Sequence, residues 1–308
     1  MTQTNTTTPI DELRLEDAAT RLAFLNEPLT IHHPRMMELE ERLAAILNMP
    51  EPYEHSIAVF GRSFNGKSTI SKHFASLHPI QTNILGDADR ADVVRISMPG
   101  EASVREFAIR ILRYVGEPFN LRWSTSHLTS MAYAVLRAMQ TKLLIIDEFQ
   151  DLANGTSRNR EALKNMIKSI GEDTGCGVAL FGTPAGIDIL NDDPQLQRRF
   201  EQLVLPPWER GDEANVLIHN LEVRLPLRKV SHIVADPALV ETILEMGDHV
   251  IGHIRRVMLL AARTAIQTGR EVIDAKTLEA MEWVPLSERS EDVVNRLQLK
   301  ADKEWEPA

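Results

Sequence analysis

Residues 61–68 read GRSFNGKS, and the segments on either side of this string leave few options for the surrounding fold. Before it, residues 57–60 (IAVF) form a short apolar run; after it, residues 67–77 suit a helix. In the order strand, glycine-bearing loop, helix, backbone N–H groups converge at a helix N-terminus, where they attract anionic oxygens. The GxxxxGKS spacing therefore predicts a polyphosphate cradle made by Gly61, Arg62, Ser63, Phe64, Asn65, Gly66, Lys67 and Ser68. Its glycines let the backbone close around the ligand, Lys67 reaches the β and γ phosphates, and the Ser68 hydroxyl joins a magnesium shell.

About eighty residues later, residues 143–148 read LLIIDE, an apolar strand ending in two carboxylates. Four consecutive apolar residues without alternation fit a strand covered on both faces, as in a parallel sheet. Asp147 is placed to hold magnesium and Glu148 to polarise an attacking water. Further strands are predicted at 93–98, 178–181 and 202–205, with helices at 35–47, 104–115, 128–139 and 160–170. This alternation predicts an α/β fold, a parallel sheet flanked by helices, with ligands at the carboxyl ends of its strands. Lys67, Asp147, Glu148 and Thr183 all fall at such ends. Beyond Gly211 the strand signal fades, and helical patterns at 213–225, 237–246, 251–268 and 275–283 predict a smaller C-terminal helical domain. The expected divisions are a flexible lead (1–20), the α/β domain with its N-terminal helical region (21–208), the helical domain (209–285) and a charged tail (286–308). Within that tail Trp305 suggests a docking peptide as the alternative to a frayed end.

Composition excludes several classes. With 308 residues, 43% hydrophobic and 25% charged, the chain is neither fibrous nor wholly disordered. No apolar run approaches the length of a membrane span, and the polar start lacks a signal peptide's basic and apolar regions, so no membrane association and a cytoplasmic location are expected. Its one cysteine, Cys176, excludes an internal disulfide and reads as structural. His32 and His33, followed by Pro34, read as a turn rather than a metal fragment, having no third ligand at usable spacing. A net charge of −10 argues against a surface coated uniformly for nucleic acid, while leaving room for a local basic strip.

No Asn-Lys-x-Asp guanine-reading motif occurs, so ATP with Mg2+ is the expected ligand. Thr183, in a Gly-Thr-Pro strand end, can hydrogen-bond the attacking water or the γ-phosphate, or else simply close a turn. Arg198 and Arg199 in QLQRRFEQ are placed to reach a neighbouring subunit's γ-phosphate, with a surface salt-bridge pair as the alternative; the spacing does not choose between them. Arg255, opening a later helix, could fold back on the nucleotide in cis.

Phosphate loop, DE strand, polar strand end, arginine pair and Gly-x-x-Arg, in that order, resemble an AAA+ ATPase. The stretches HPRMMELEERLAAIL, FGRSFNGKSTI, LLIIDEFQDLANGT, FGTPAGIDILNDDPQLQRRFEQLVLPPW and LEVRLPLRK are similar to the TniB/TnsC family of transposition regulator ATPases, over residues 20–275. The resemblance implies an AAA+ fold whose C-terminal helical domain is a lid. It also implies an ATPase that assembles as a homo-oligomer, ring or helical filament, on double-stranded DNA when ATP is bound. Its implied partners are a transposase and a target-selection protein of the TniQ type. Carried over by motif, Gly61, Gly66, Lys67, Ser68 and Thr69 bind nucleotide, Asp147 the magnesium and Glu148 the water. Thr183 becomes the polar sensor, Arg199 or Arg198 the finger, and Arg255 a second sensor at a less fixed position. DNA contact has no motif; the candidates are Arg105, Arg110, Arg113, Arg122, Arg158, Arg160 and Lys164, with Arg113 and Arg122 placed first. The alternatives are an AAA+ helicase loader or replication initiator, and a nucleotide-switched protein scaffold that does not bind DNA.

Overall fold

The computed structural model describes residues 10–27, 30–82 and 89–284. The start of the expected lead (1–9) and the tail with Trp305 lie outside the described residues. The chain divides into two compact units, one spanning Arg35–Pro206 and one combining the segment up to Pro34 with the segment from Pro207 onward.

In the first unit, five strands among the described residues form one sheet: β1 (Ser56–Gly61), β2 (Val93–Ser97), β3 (Leu143–Asp147), β4 (Gly177–Gly182) and β5 (Phe200–Leu205). Their spatial order is β2-β3-β4-β1-β5, and each neighbouring pair is parallel. Apolar runs build this sheet because both faces are covered, and the strand period sorts successive residues between two cores. Ala58, Phe60, Val94, Ile96, Leu144, Ile146, Val178 and Leu180 pack with the helices Val104–Val115, Thr125–Ala138 and Ser157–Thr174. Ile57, Val59, Val93, Leu143, Ile145, Ala179 and Phe181 face the helices Pro34–Leu47 and Lys67–Leu77 through Met36, Leu43, Ile70 and Phe74.

Two helices start a turn before the apolar pattern announces them. Ser124 accepts a hydrogen bond from the His127 amide and Thr156 one from the Asn159 amide, so a polar first turn is capped and helical although it buries little. β5 likewise begins at Phe200, two residues before the apolar run. Its first pairs, Ser56 with Phe200 and Ile57 with Glu201, are made by the backbone of an edge strand in which Phe200 is buried and Glu201 exposed, so no apolar run marks the start.

In the helical unit, Asp212–Glu222, Pro237–Met246, Ile251–Gln267 and Ala275–Glu279 match the expected helices, the last ending short of Trp283. Trp283 leaves the helix and donates its indole N–H to the Met246 carbonyl at 2.9 Å. Where a flexible lead was expected, Ile10–Leu13 and Ala18–Phe24 are helical, the second capped by Asp17. The expected boundary at residue 21 also moves, because Leu25 and Ile31 belong to the same core as Trp208, Leu217, Ile243, Ile254 and Met258.

Arg21, fully buried, ties this early segment to the end of the unit. Its guanidinium donates to both Glu271 oxygens at 2.7 and 2.8 Å and to the Pro226 carbonyl at 3.1 Å, while the Arg228 amide donates to Glu271 at 3.2 Å. The hydrogen bonds from Arg21 hold the Glu271 carboxyl below the usual carboxylate range. A depressed carboxyl contributes stability that is complete above the unfolded value near 4.5 and drains as pH falls through the folded one. Glu271→Gln is expected to cost about 3 kcal/mol at pH 7, by leaving Arg21 buried without its counter-charge. Its loss relative to the parent should hold steady from pH 7 to about pH 5 and shrink as urea unfolding is repeated below the unfolded value near 4.5; a difference that stays constant down to about pH 3 would show that the pair is not titrating.

Candidate functional site: the carboxyl ends of the parallel strands

Because every neighbouring pair is parallel, the carboxyl ends of β1, β3 and β4 open on one edge of the sheet, with β4 between the other two. The loop after β1 enters the helix Lys67–Leu77 through Gly66, whose φ of 86° only glycine adopts without strain. Phe64 also has positive φ, 61°, in a side chain 67% exposed. Strain of this kind, about 1–3 kcal/mol, persists only where surroundings over-determine it. Here Asn65 supplies the anchor: buried, it donates from Nδ2 to the Leu205 and Pro206 carbonyls at 2.9 and 3.0 Å, fixing the loop to the end of β5. Lys67 folds over its own loop, donating to the carbonyls of Gly61 and Arg62, both at 2.8 Å. Burial lowers the Lys67 pKa, and the charges of Glu148 and Asp147 oppose that shift. Ser68 is half-buried and Thr69 exposed on the first turn of the helix.

Asp147 ends β3 with only 2% of its surface exposed. Its Oδ1 accepts from the Glu148 amide at 3.0 Å, and its Oδ2 accepts from Arg95 Nη2 at 2.6 Å and Ser71 Oγ at 3.4 Å. Arg95 Nε also donates to Ser71 at 3.0 Å, closing a three-residue network across β2, β3 and the helix after the loop. Neither Arg95 nor Ser71 was singled out from the sequence, although an arginine inside the apolar run VVRISM, on a strand beside the carboxylate strand, is the signal that could have found the first.

Glu148 turns the chain out of β3 with φ 56° and ψ 42°, a left-handed conformation for a residue with a side chain. Its Oε2 accepts from Gln150 Nε2 at 2.5 Å, and Gln150 Oε1 accepts from the Thr183 amide at 3.0 Å. Thr183, half-buried after β4, thus comes together with Lys67, Asp147 and Glu148 at one edge.

Arg198 and Arg199 lie elsewhere. They precede β5, whose first residue pairs with the first of β1, so they sit at the amino end of the strands, roughly 17 Å along β1 from the phosphate loop. The two differ. Arg199 is half-buried and donates to the Lys168 carbonyl, with Glu172 at 3.4 Å. Arg198 is exposed, makes no hydrogen bond or ion pair among the described residues, and lines surface clefts with Gln195 and Glu54.

Arg255 belongs to the helical unit. Its Nη2 reaches the Glu27 carbonyl at 3.4 Å, its Nε is buried without a partner, and burial lowers its pKa. Of the DNA candidates, Arg105 holds the carbonyls of Leu121 and Trp123, Arg110 holds that of Ser97 at 2.9 Å, and Lys164 is buried with Glu161 at 3.6 Å. Arg160 donates to Ser157 at 3.3 Å. Arg113 is exposed over the Phe119 ring at 5.7 Å, and Arg122 and Arg158 are exposed, with no side-chain hydrogen bond or ion pair among the described residues. Cys176 is fully buried, its thiol pushed up to about 11, so it is not a nucleophile at neutral pH. His33 is buried edge-on against Trp208, with ring centroids 5.1 Å apart. Among the described residues no helix is long and apolar enough to cross a membrane.

A parallel sheet in this order, with a phosphate loop after β1, a carboxylate pair after β3 and a polar residue after β4, defines the AAA+ ATPase fold. Solved structures with that fold include the Aeropyrum pernix ORC2 protein (16% identity, TM-score 0.57, covering 84% of this chain and 70% of that one) and Cdc6p from Pyrobaculum aerophilum (18%, 0.55, 81% and 67%). The Aeropyrum pernix ORC1 protein, solved in complex with DNA, is also similar (15%, 0.54, 87% and 67%). Among curated proteins none matches the sequence significantly. The chain belongs to the TniB family: the family model described as the bacterial TniB protein matches residues 21–210.

The Arg95–Asp147 pair gives a test of how this edge is held together. Arg95→Leu is expected to destabilise the nucleotide-free protein by about 3 kcal/mol, because a buried carboxylate loses its counter-charge. Adding Asp147→Asn should restore much of that loss in a double-mutant cycle followed by urea unfolding; additive losses would mean the two residues act independently.

Proposed function

We propose that this protein is an ATP-dependent, DNA-binding regulator of transposition, assembling on target DNA when ATP is bound and disassembling after hydrolysis. The observation that carries the assembly is the separation of Lys67 from Arg198. The phosphate loop and Arg198, which has no hydrogen bond or ion pair among the described residues, lie at opposite ends of the sheet, which supports a role for Arg198 at the pocket of another subunit. Membership of the TniB family supports the transposition reading, with a transposase and a TniQ-type target selector as partners.

Lys67 and the loop amides would bind the β and γ phosphates of ATP. The site also fits magnesium held largely by those phosphates. Asp147 and Ser68 would be its protein ligands, and among the described residues no group of three or more His, Cys, Asp or Glu offers a separate metal cage. Magnesium there would neutralise phosphate charge. Glu148 accepts a proton from the attacking water as its oxygen bonds to the γ-phosphorus and the bridging oxygen leaves with ADP. Thr183 orients the water or the γ-phosphate, and Arg198, with Arg199 as the anchored neighbour, places positive charge on the transferring group from the next subunit. Arg255 is the corresponding sensor of the helical unit. Of the seven DNA candidates, Arg113, Arg122 and Arg158 are the exposed ones and are proposed to contact DNA. Repetition along an assembly lets few phosphate contacts per subunit sum to useful affinity despite a net charge of −10. An AAA+ helicase loader or replication initiator, compatible with the same fold, is the second reading, distinguished by whether a transposase or a helicase is stimulated.

Lys67→Ala is expected to abolish ATP binding. Glu148→Gln should keep it, lower hydrolysis by about 100-fold or more, and lengthen the assembled state on DNA. Arg198→Ala should lose about 1,000-fold in hydrolysis, yet a mixture with Lys67→Ala should regain activity, since one protein supplies the pocket and the other the arginine. A mixture as inactive as its components would remove the finger in trans. DNA binding measured with ATP, with ADP and with no nucleotide across a salt series should be tightest with ATP and fall with salt. Equal binding in the three states, or none, would overturn the assembly switch.

A further inference from the structure

Two groups at the site are joined by a side chain to which the hydrolysis scheme gives no role. The Gln150 carboxamide lies between the residue that takes the water's proton and the one that faces the phosphate. Its Nε2 donates to Glu148 Oε2 at 2.5 Å and its Oε1 accepts from the Thr183 amide at 3.0 Å. Only a side chain with a donor and an acceptor on one planar group makes both bonds at once: a carboxylate would repel Glu148, and an apolar side chain would satisfy neither end. The fit is close as well. A Cβ added to Gly182, the residue before Thr183, would stand 3.3 Å from Gln150 Oε1 and 3.4 Å from Phe149 Cβ, so the absence of a side chain there gives the carboxamide its room.

The bridge bears on the geometry of the base. Glu148 leaves β3 in a left-handed conformation, and its carboxylate would otherwise sweep through several rotamers. Anchoring Oε2 leaves Oε1, which makes no hydrogen bond among the described residues, as the oxygen free to take a proton. The Thr183 hydroxyl is likewise without a hydrogen bond among the described residues, its amide alone being committed to Gln150. Two free oxygens, one on the base and one on the phosphate-facing residue, are therefore held at a fixed separation by a connection that runs outside the space between them.

We infer that Gln150 is a positioning residue for ATP hydrolysis, fixing the Glu148 carboxylate to the end of β4 so that base and Thr183 address one water together. This rests on the assignment of Glu148 as the base. In this role Gln150 acts through Glu148 and Thr183, the two residues it bonds.

Gln150→Met tests it, being close in volume and length but able neither to donate nor to accept strongly. Hydrolysis by the full-length protein with DNA and Mg-ATP is measured beside binding of a fluorescent ATP analogue and thermal unfolding. The expected result is a fall in kcat of about 10-fold or more with analogue affinity and KM within about 2-fold of the parent, the signature of a lost transition-state contact. Gln150→Glu, which keeps the shape and reverses the donor, should lose at least as much. Parent-like kcat in Gln150→Met, or a faster rate, overturns the inference. So does a loss of kcat matched by lost ATP affinity and lost melting temperature in both variants, which would mark Gln150 as structural only. Glu148→Gln is assayed in parallel: if it hydrolyses ATP normally the base assignment fails, whereas an inactive Glu148→Gln beside a normal Gln150→Met fails the bridge alone.

Discussion

The strand β4 lies between the strand that carries the phosphate loop and the strand that carries the carboxylates, hydrogen-bonded to both in parallel register, with Ile57 opposite Ala179 and Leu143 opposite Gly177. Parallel strands cannot be joined by tight turns, so each crossover is a helix, and each strand emerges with its carboxyl end on the same edge. Lys67, Asp147, Glu148 and Thr183 are spread over more than a hundred residues of sequence, and this pairing is what makes them neighbours. The same constraint sends Arg198 and Arg199 to the other edge, since a chain that must re-enter in parallel begins its last strand there.

Gathering charged groups at a dry edge has a cost, and the protein meets it with a network rather than with isolated pairs. Asp147 is fully buried and is offset by Arg95 and Ser71. Glu148 is turned aside to Gln150. Each carboxylate thus has a protein partner on its own side of the sheet edge. The partner of Asp147 comes from β2, a strand that carries no part of the phosphate loop, so any cation proposed to bind that carboxylate would meet a guanidinium already in place.

The sequence made the sheet legible because its strands are buried on both faces and so are written as unbroken apolar runs, as in IAVF and LLIIDE. The phosphate loop and the carboxylates were legible because short-range spacing alone defines them. What escaped was of two kinds. Helix starts at Thr125 and Ser157 are fixed by caps and not by apolar periodicity, and the membership of residues 18–34 in the helical unit depends on long-range packing with Trp208 and on the Arg21–Glu271 pair. The roles of Arg95 and Gln150 likewise arise from contacts across strands, which no local pattern encodes. Conversely, Arg198 and Arg199, which the sequence does not distinguish, differ in the structure: Arg199 is fastened to the Lys168 carbonyl, and Arg198 is exposed.

If Arg198 completes a neighbour's pocket as proposed, the opposition of the two sheet edges would give an assembly of these chains a direction. Stacked head to tail, every interior subunit would receive an arginine on one side and lend one on the other. An open array of n subunits would then have n − 1 completed pockets, while a closed ring would have n. The terminal subunit with its pocket uncovered would retain its nucleotide longest, and the opposite terminus would carry an idle arginine. Turnover per chain would then report how many ends a population contains, so that geometry within one protomer would become a means of counting the ends of a polymer.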